Sequence, residues 1–356
     1  MPRNTSSPYI ESLTSLRGIA AWWIVFYHFR ETLGLGQDNF FLQLIGKGFL
    51  AVDFFFILSG FVIFINYQSS FTHLSLPVLR DFLARRLARV YPLHLFILVI
   101  FLVNPLMITF FSSAANLGDR YDVDYYLASL LMIQNWGFFD HLAWNIPAWS
   151  ISTEFGAYLA FPVLAIIFKK YFTSAIWHLT SILILCSSLA IIYKLNHYTS
   201  LGNGITDIGL IRCIIEFAMG SVIGHFFLNF KEKHRIANRS SILGVLLISS
   251  IAMTFNLPNY TFIPVIFAMI IFIVSIDPYF TKKALGGRIL LYLGQISYST
   301  YLVHFLIRDW VKFFSHQIGI LQFIIYVLMI LASSVFLYRY VETPGRNWIK
   351  SFSRVK

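Results

Sequence analysis

Ten apolar runs recur along the chain, and each is long enough for a helix that crosses a bilayer. Such a helix needs about 20 residues, because each residue adds about 1.5 Å to a helix and the hydrocarbon core is about 30 Å thick. The pattern therefore predicts an all-α polytopic membrane protein, a bundle of about ten transmembrane helices. The runs fall at approximately 13–33, 48–68, 91–112, 147–168, 175–194, 209–229, 241–257, 260–277, 289–312 and 318–341.

The composition excludes a soluble globular protein. The chain of 356 residues is 58% hydrophobic and 12% charged, and it contains 37 phenylalanines. An average soluble domain is roughly 25% charged. A soluble core cannot bury this much apolar surface, so a bilayer must solvate part of it.

Basic residues concentrate in alternate loops between the runs. With a cytoplasmic amino terminus, 20 of the 27 Lys and Arg residues lie on the cytoplasmic side, where membrane proteins collect them. The longest loop on the other side, 113–146, carries Asp119, Asp122, Asp124 and Asp140 instead. Topology thus explains most of the net charge of +11, and we do not expect nucleic acid as a partner.

The ends of the chain follow from the same topology, which predicts that both termini are cytoplasmic. We predict a cytoplasmic segment 1–12, a transmembrane domain 13–343 and a basic cytoplasmic segment 344–356. The first run lacks the pattern of a cleaved signal peptide and is expected to be retained. Cys186 and Cys213 lie within apolar runs without metal-ligand spacing, so we predict neither a disulfide nor a metal site.

The first run carries a cation and an imidazole on one helix face. Arg17 and His28 are eleven residues apart, which is about three turns and about 16 Å along the axis. Arg17 would lie near the cytoplasmic surface and His28 in the outer half of the bilayer. Considered alone, Arg17 is explained as an anchor that snorkels to the membrane surface, and His28 as a residue that forms an interhelical hydrogen bond. Their shared face favours a path on which a ligand passes Arg17 and reacts at His28.

Further polar residues are predicted at the depth of His28. Asp53, Glu154 and His304 all fall in the outer halves of their runs. A carboxylate beside an imidazole fixes its tautomer and raises its basicity, so we expect Asp53 to assist His28 as a general base. The alternative is a structural ion pair. Arg212 and Glu216, four residues apart, are expected to pair with each other.

A cluster of arginines precedes the third run. Arg85, Arg86 and Arg89 are predicted to lie in a cytoplasmic loop at the entrance to that helix. They are explained either as a positive-inside anchor or as an anion site, since guanidinium groups match phosphate geometry. Glu342, at the inner end of the last run, is expected to hold one of these arginines in place.

Six segments resemble blocks of the acyltransferase-3 family of bacterial membrane O-acyltransferases. LRGIAAWWIVFYH resembles the family's Arg-x10-His signature, RRLARVYPLH its Arg-x-x-Arg loop and WSISTEF its Trp-Ser-x-x-x-Glu segment. GFLAVDFFFILSGFVI, SYSTYLVH and VETP resemble further blocks. The blocks occur in the family's order from residue 16 to residue 346, so the resemblance covers nearly the whole chain.

The resemblance implies a membrane enzyme of the bacterial cytoplasmic (inner) membrane that acylates surface glycans. Family members carry an acyl group, usually acetyl from cytoplasmic acetyl-CoA, onto sugars of O-antigen, exopolysaccharide or peptidoglycan. The chain resembles the stand-alone form without an SGNH-type domain, so its acceptor is expected at the membrane, as in a lipid-linked sugar. Acetyl-CoA would be a co-substrate, and no permanently bound cofactor is expected.

The same resemblance implies roles for named residues. His28 would act as general base or transient acyl acceptor, oriented by Asp53 or Glu154. An arginine collar would hold the phosphates of coenzyme A, and further residues would support the site or the substrate. The collar comprises Arg17, Arg86 and Arg89, and the supporting residues are Trp149, Ser152, His304 and Glu342.

Two other classes of function remain open at this stage. Ionisable residues within a membrane also form proton relays, so a proton-coupled secondary transporter is one alternative. A protein that binds or flips a lipid-linked sugar without chemistry is the other. The sequence lacks the internal repeats and paired broken helices of many transporters. A transporter would also leave the arginine cluster without a ligand.

Overall fold

The computed structural model describes residues 10–33, 38–111, 118–230, 233–276, 283–315 and 319–353, and the described residues form helices, turns and loops without a strand. The all-α prediction is therefore confirmed. The helices are α1 Glu11–Phe29, α2 Phe40–Gly46, α3 Ala51–Tyr67, α4 Leu76–Phe101, α5 Val103–Phe111, α6 Val123–Leu130, α7 Trp149–Tyr171, α8 Ala175–Leu195, α9 Ile205–Asn229, α10 His234–Thr254, α11 Asn259–Ile276, α12 Arg288–Gln295, α13 Ser297–Phe314, α14 Ile320–Leu337 and α15 Thr343–Ser353.

Seven helical segments of the described chain are long and apolar enough to cross a membrane, or eight if the bent pair α12 and α13 counts as one span. Helices also occupy the first and seventh predicted runs, as α1 and α10. The first two turns of α1 are too polar for α1 to count as a membrane-spanning helix. The apolar part of α10, Ser240–Thr254, is too short to count as one. A multi-pass membrane protein is confirmed, whereas ten crossings stay a prediction. The seven segments are Phe40–Ser70, Leu76–Phe110, Ile146–Tyr171, Ala175–Leu195, Ile205–Asn229, Asn259–Ile276 and Ile320–Ser351.

The arginine-rich segment before the third run is helical, so the prediction of a loop there was wrong. Helix α4 begins at Leu76, with Pro77 in its first turn, where the missing N–H has no helical partner to lose. Leu, Ala and Arg, all strong helix formers, continue it through the charged stretch. Arg86 and Arg89, three residues apart, therefore project from one face of a rigid element.

The ninth run, predicted as one span at 289–312, is broken between α12 and α13 with a bend of 66°. Beside this break the backbones of α1 and α12 approach closely. A Cβ atom on Gly294 would lie 1.9 Å from the Thr14 carbonyl oxygen, and one on Gly18 would lie 2.7 Å from the Gly294 nitrogen. This contact brings Arg17 beside Ser297, the first residue of α13.

The centre of the bundle is the crossing of α3 and α9, where most of α3 is buried. A Cβ atom on Gly60 would lie 1.9 Å from the Phe217 carbonyl oxygen, and one on Gly220 would lie 1.9 Å from the Ile57 carbonyl oxygen. Small residues of this kind let membrane helices approach closely. The crossing sets Asp53 of α3 opposite Arg212 of α9.

The predicted terminal segments are described in part. Residues 1–9, most of the predicted segment 1–12, lie outside the described residues, as do residues 354–356. The predicted segment 344–356 falls largely in α15, which packs on α4 where Gly345 meets the ring of Pro92. The domain boundaries and the position of both termini relative to the membrane stay predictions.

Candidate active site

A cavity of about 890 Å³, measured with its open mouth, lies among α1, α3, α4, α7 and α13. Its apolar wall comes mainly from α3, and its polar wall combines three guanidinium groups with one carboxylate and several hydroxyl groups. The surplus of cations suits an anionic ligand. The polar residues of the lining are Arg17, Ser59, Arg86, Arg89, Ser150, Glu154, Tyr158, Ser297, Tyr298 and Tyr301.

Two of the three guanidinium groups are positioned by hydroxyl oxygens. Arg17 Nη2 donates to Ser297 Oγ at 3.3 Å, which ties α1 to the start of α13. Arg86 Nη2 donates to the Tyr67 hydroxyl at 2.6 Å, and its guanidinium lies 4.7 Å from the centre of that ring. Neither group is neutralised by an adjacent carboxylate in these contacts, so both retain positive charge to offer a ligand.

The third guanidinium, that of Arg89, forms an ion pair with Glu342. Glu342 is 1% exposed, and its second carboxylate oxygen accepts a hydrogen bond from Ser299 Oγ at 2.8 Å. The structure thus joins Arg89 to Glu342, the residue expected from the sequence to hold one arginine of the cluster. The buried carboxylate fixes the direction in which the Arg89 guanidinium faces the cavity.

Glu154 lies in the cavity wall rather than beside His28. Its Oε1 accepts a hydrogen bond from Ser59 Oγ, and Tyr158 lies one helical turn further along α7. In the described residues its side chain makes no hydrogen bond to His28, so the expectation that Glu154 orients His28 is not met by this geometry. Glu154 instead contributes a carboxylate to the cavity that the arginines also line.

The cavity extends along α3 from Ile63 to Val52, which is about 16 Å at 1.5 Å per residue. Its far end is formed by Ser150 and Tyr301, whose hydroxyl oxygens lie 2.7 Å apart. The Tyr301 hydroxyl also donates to the Pro147 carbonyl oxygen at 2.8 Å. Tyr301 is therefore held in place at its hydroxyl end and forms part of this end of the cavity.

Beyond Tyr301 lies a pair of histidines, His28 and His304. Their ring centres are 5.2 Å apart, and the His304 ring centre is 5.7 Å from that of Tyr301. His304 is fully buried; its Nδ1 contacts the Tyr301 carbonyl oxygen, and its Nε2 has no hydrogen-bond partner. His28 and Arg17 both contact α13, so they share a face of α1, with the arginine at the cavity and the histidine past its end.

Asp53 does not lie beside His28, so the expected assistance from Asp53 is not found. It is fully buried and forms an ion pair with Arg212, whose Nε donates to Asp53 Oδ1 at 2.8 Å. The Arg212–Glu216 pair expected from the sequence is longer, at 3.8 Å. The α3–α9 crossing is the physical reason, because it sets Asp53 against α9 and away from α1.

Trp149 and Ser152 lie outside the cavity lining. Trp149 is buried, and the Arg212 guanidinium lies 5.7 Å from its ring centre. Ser152 is fully buried; its Oγ accepts a hydrogen bond from the Asn135 backbone N–H at 3.1 Å. Both residues connect α7 to its neighbours, and Ser150 rather than Ser152 lines the cavity.

Several cavity residues were not among those expected from the sequence, notably Ser59, Tyr158, Ser297 and Tyr301. Helical spacing offered a signal for three of them. Ser297 and Tyr301 are four residues apart, and Tyr158 follows the expected residue Glu154 by four, so each pair shares one helix face. Ser59 is a lone hydroxyl within an apolar run and gave no comparable signal.

The arrangement has two chemically distinct parts. One is a long cavity whose guanidinium groups can hold phosphate groups and whose apolar wall can hold an extended chain. The other is a histidine pair with an unsatisfied ring nitrogen, which can accept a proton or an acyl group. Tyr301 lines the cavity, and its ring centre lies 5.7 Å from that of His304.

Comparisons with known proteins identify a family and several relatives. A family model described as an acyltransferase domain matches residues 10–339. A putative O-acetyltransferase of Staphylococcus aureus strain COL is 25% identical over 97% of this chain. The O-acetyltransferase OatA of Staphylococcus aureus strain NCTC 8325 is 26% identical over 96% of this chain. The chain spans 59% and 58% of the lengths of these two relatives. No solved structure matches the chain.

Proposed function

This chain belongs to the acyltransferase-3 family, as its sequence blocks predicted, and on that premise we propose that it is a membrane O-acetyltransferase. The proposed donor is acetyl-CoA from the cytoplasm. The proposed acceptor is a sugar hydroxyl of a surface glycan or of its lipid-linked precursor. The two staphylococcal relatives carry the name O-acetyltransferase, which supports the choice of acyl group.

The observation that carries the proposal is the arginine-lined cavity. Coenzyme A has several phosphate groups at one end and a long flexible arm that ends in the thioester. Arg17, Arg86 and Arg89 would hold the phosphates, and the arm would extend along α3. The thioester would then arrive near Ser150 and Tyr301, one side chain away from the histidine pair. A proton-coupled transporter would leave the three guanidinium groups of this cavity without an assigned ligand.

The proposed topology places the cavity mouth at the cytoplasm. Ten crossings with both termini cytoplasmic would put Arg86 and Arg89, which lie in the middle of α4 but before the predicted third span 91–112, on the inner side of the bacterial cytoplasmic membrane. His28, at the opposite end of α1, would then face the outer half. The donor would then enter from the cytoplasmic side and the acceptor from the outer side, and the two would meet at Tyr301.

In the proposed reaction His28 acts as general base on the acceptor hydroxyl. The hydroxyl oxygen attacks the thioester carbonyl carbon, the hydroxyl proton passes to the His28 imidazole, and the carbon–sulfur bond breaks to release the thiolate of coenzyme A. In the alternative course the imidazole nitrogen attacks the thioester carbonyl carbon and the thiolate of coenzyme A leaves; the acceptor hydroxyl oxygen then takes the acetyl group as the carbon–nitrogen bond breaks, and its proton passes to the released imidazole. His304, 5.2 Å away between ring centres, is positioned to orient the His28 ring.

The roles first assigned to the carboxylates change within this proposal. Asp53 would hold the α3–α9 crossing through Arg212 and thereby shape the cavity wall. Glu154 would position Ser59 and set the limit of the anionic part of the ligand, since a carboxylate repels phosphate.

The test uses purified full-length protein in lipid nanodiscs with acetyl-CoA labelled in the acetyl group. We expect His28→Ala to abolish transfer to membrane glycans while binding of acetyl-CoA persists. The matched control is His73→Ala, which changes an exposed histidine outside the cavity. Mass spectrometry of surface glycans from cells with and without the protein should show the gain of one acetyl group. Full transfer by His28→Ala, or no binding of acetyl-CoA by the wild type, would overturn the proposal.

A further inference from the structure

Helix α15, the last helix of the described chain, presents two cations that do not line the arginine-lined cavity. Arg346 and Lys350 are four residues apart, so they lie on one face of this helix. Like charges at this spacing repel each other and destabilise a helix. The face therefore gains free energy when an anion binds to it.

The packing of α15 on α4 determines where these cations lie. A Cβ atom on Gly345 would lie 2.5 Å from the Cβ atom of Pro92, so the two helices touch close to the start of α15. Lys350 lies five residues further along and is within electrostatic reach of Arg86 and Arg89. Both arginines precede Pro92 on α4 and line the cavity. Helix α15 therefore runs back along α4, from Pro92 toward the cavity arginines.

Positive charge is in excess around Lys350. The charges that act on it most strongly belong to four guanidinium groups, those of Arg346, Arg85, Arg86 and Arg89. Ion pairs with Asp81 and Glu342 match two of them, Arg85 and Arg89. No carboxylate of the described residues lies within 4.0 Å of the other two, and the buried Nε of Arg86 has no hydrogen-bond partner among those residues. A phosphate would complement this excess.

Coenzyme A carries two separate anionic groups at its nucleotide end. The diphosphate follows the flexible arm directly, so it would lie on the cavity arginines when the arm extends along α3. The second group is a phosphate monoester on the 3′ oxygen of the ribose, one sugar away from the diphosphate. An arm that fills the cavity leaves this 3′-phosphate just outside it, next to α4. Arg346 and Lys350 lie on the helix that packs there.

We propose that Arg346 and Lys350 bind the 3′-phosphate of the donor, so that α15 selects coenzyme A over donors that lack this group. Arg346 is the main contact, because a guanidinium can donate two parallel hydrogen bonds to a phosphate, and Lys350 adds a point charge. A phosphopantetheine thioester on a carrier protein has no 3′-phosphate and is disfavoured as a donor. This inference rests on the proposed acetyl transfer and specifies how its donor is recognised.

The experiment compares two donors that differ only by the 3′-phosphate, acetyl-CoA and 3′-dephospho-acetyl-CoA. Equilibrium binding of each is measured on purified full-length protein in nanodiscs of uncharged phospholipid. We expect the wild type to bind acetyl-CoA more tightly by more than about tenfold, since two charge-assisted contacts are gained. Arg346→Gln should weaken binding of acetyl-CoA about tenfold and Lys350→Gln several-fold. Neither variant should change binding of 3′-dephospho-acetyl-CoA.

The matched control is Arg288→Gln, which removes the same charge from an exposed arginine at the start of α12. Arg288 lies on the cytoplasmic side in the proposed topology and does not line the cavity, so both affinities should stay unchanged. Equal affinities of the wild type for the two donors would refute the 3′-phosphate site. An equal loss in Arg346→Gln and Arg288→Gln, or a loss in Arg346→Gln that is the same for both donors, would refute it as well.

The phosphate headgroups of anionic lipids offer the same chemistry to these two cations. The measurements are therefore repeated in nanodiscs that contain phosphatidylglycerol. We expect the preference for acetyl-CoA, and its decrease in Arg346→Gln, to persist there. A preference that disappears in these nanodiscs would mean that lipid phosphates occupy Arg346 and Lys350, which overturns the assignment to the donor.

The donor without the 3′-phosphate separates this inference from the proposed function. If the wild type binds both donors equally and transfers acetyl from both, the 3′-phosphate site is wrong and the proposed function stands. If the wild type binds neither donor, the proposed function is wrong, and this inference with it. Unchanged binding of 3′-dephospho-acetyl-CoA by Arg346→Gln and Lys350→Gln also establishes that both variants are folded.

Discussion

Arg89 and Glu342 lie 253 residues apart in the sequence and form an ion pair at the wall of the arginine-lined cavity. The Arg89 side chain is 24% exposed and the Glu342 side chain 1%. The pair therefore joins α4 to the last turn before α15 with its anion on the protein side and its cation toward the cavity. A guanidinium held in this way loses little freedom when it binds a phosphate.

Glu342→Gln should weaken the donor site without unfolding the protein. Glutamine keeps the shape and the hydrogen bond from Ser299, but it no longer fixes Arg89 by charge. We expect the KM for acetyl-CoA to rise by about tenfold with a smaller change in kcat, because contacts to charged groups contribute about 1.5–3 kcal/mol. Steady-state kinetics check this. An unchanged KM would show that Arg89 needs no such support.

Two neighbouring arginines of α4 provide a matched pair for the anion site. Arg86 lines the cavity, whereas Arg85 projects away and pairs with Asp81 at 2.9 Å on a half-exposed surface. Arg86→Ala should weaken binding of acetyl-CoA by at least about tenfold, the effect of one lost charge-assisted contact. Arg85→Ala should leave it nearly unchanged, since Arg85 does not line the cavity and loss of its exposed pair should cost only about 0–1 kcal/mol of folding stability.

Equilibrium binding of acetyl-CoA to both variants in nanodiscs provides the measurement. Equal losses in the two variants would point to a general effect of positive charge at that surface. The assignment of Arg86 to the donor cavity would then be wrong.

Asp53→Ala should destabilise the bundle because it leaves the buried Arg212 guanidinium unpaired. Breaking one partner of a buried pair costs about 3–5 kcal/mol, whereas replacing both partners with apolar residues is often close to neutral. We therefore expect a large loss of thermal stability in detergent for Asp53→Ala. The double variant Asp53→Leu with Arg212→Leu should recover most of it. A single variant that kept full stability but lost all transfer would instead identify Asp53 as a catalytic residue.

A pH-dependent contact lies in the segment between α6 and α7. His141 Nδ1 lies 3.0 Å from Asp140 Oδ1, and His141 Nε2 lies 3.2 Å from Asp122 Oδ2. The hydrogen bond to Asp140, together with the charge of Asp122, raises the pKa of His141 above its ordinary 6.5. The raised pKa means that protonated His141 stabilises the folded segment. This stabilisation is complete below pH 6.5 and is lost as the pH rises through the raised pKa.

Titration of the His141 ring by NMR, with hydrogen exchange of residues 131–145 as a function of pH, checks this expectation. The segment should exchange faster as His141 loses its proton. In His141→Asn the exchange rates, corrected for their intrinsic pH dependence, should not change over this range. An apparent pKa at or below 6.5 would contradict the pairing.

Features that depend on local periodicity were predictable from the sequence. Arg17 and His28 share a face of α1 because eleven residues make close to three turns of any α-helix. The helical class followed in the same way from the length of the apolar runs. The helical state of the α4 segment was harder to predict, because dense positive charge is typical of cytoplasmic loops, although arginine and leucine are both strong helix formers.

The partner of Asp53 was not predictable, because it depends on which helices cross. Local spacing offered Glu216 as the partner of Arg212, four residues along the same helix. The structure favours Asp53, 159 residues away, because Gly60 and Gly220 let α3 and α9 touch backbone to backbone. Such an approach depends on the surfaces of both helices, and residue spacing within one helix does not reveal it. The same reason explains why Ser59 was missed as a cavity residue.

Tyr301 gives the cavity a fixed end. Its side chain lines that end, and its hydroxyl contacts Ser150 Oγ at 2.7 Å and the Pro147 carbonyl oxygen at 2.8 Å, so the ring is held in one orientation. In the proposed function, this ring would set the depth at which the thioester of a bound donor stops.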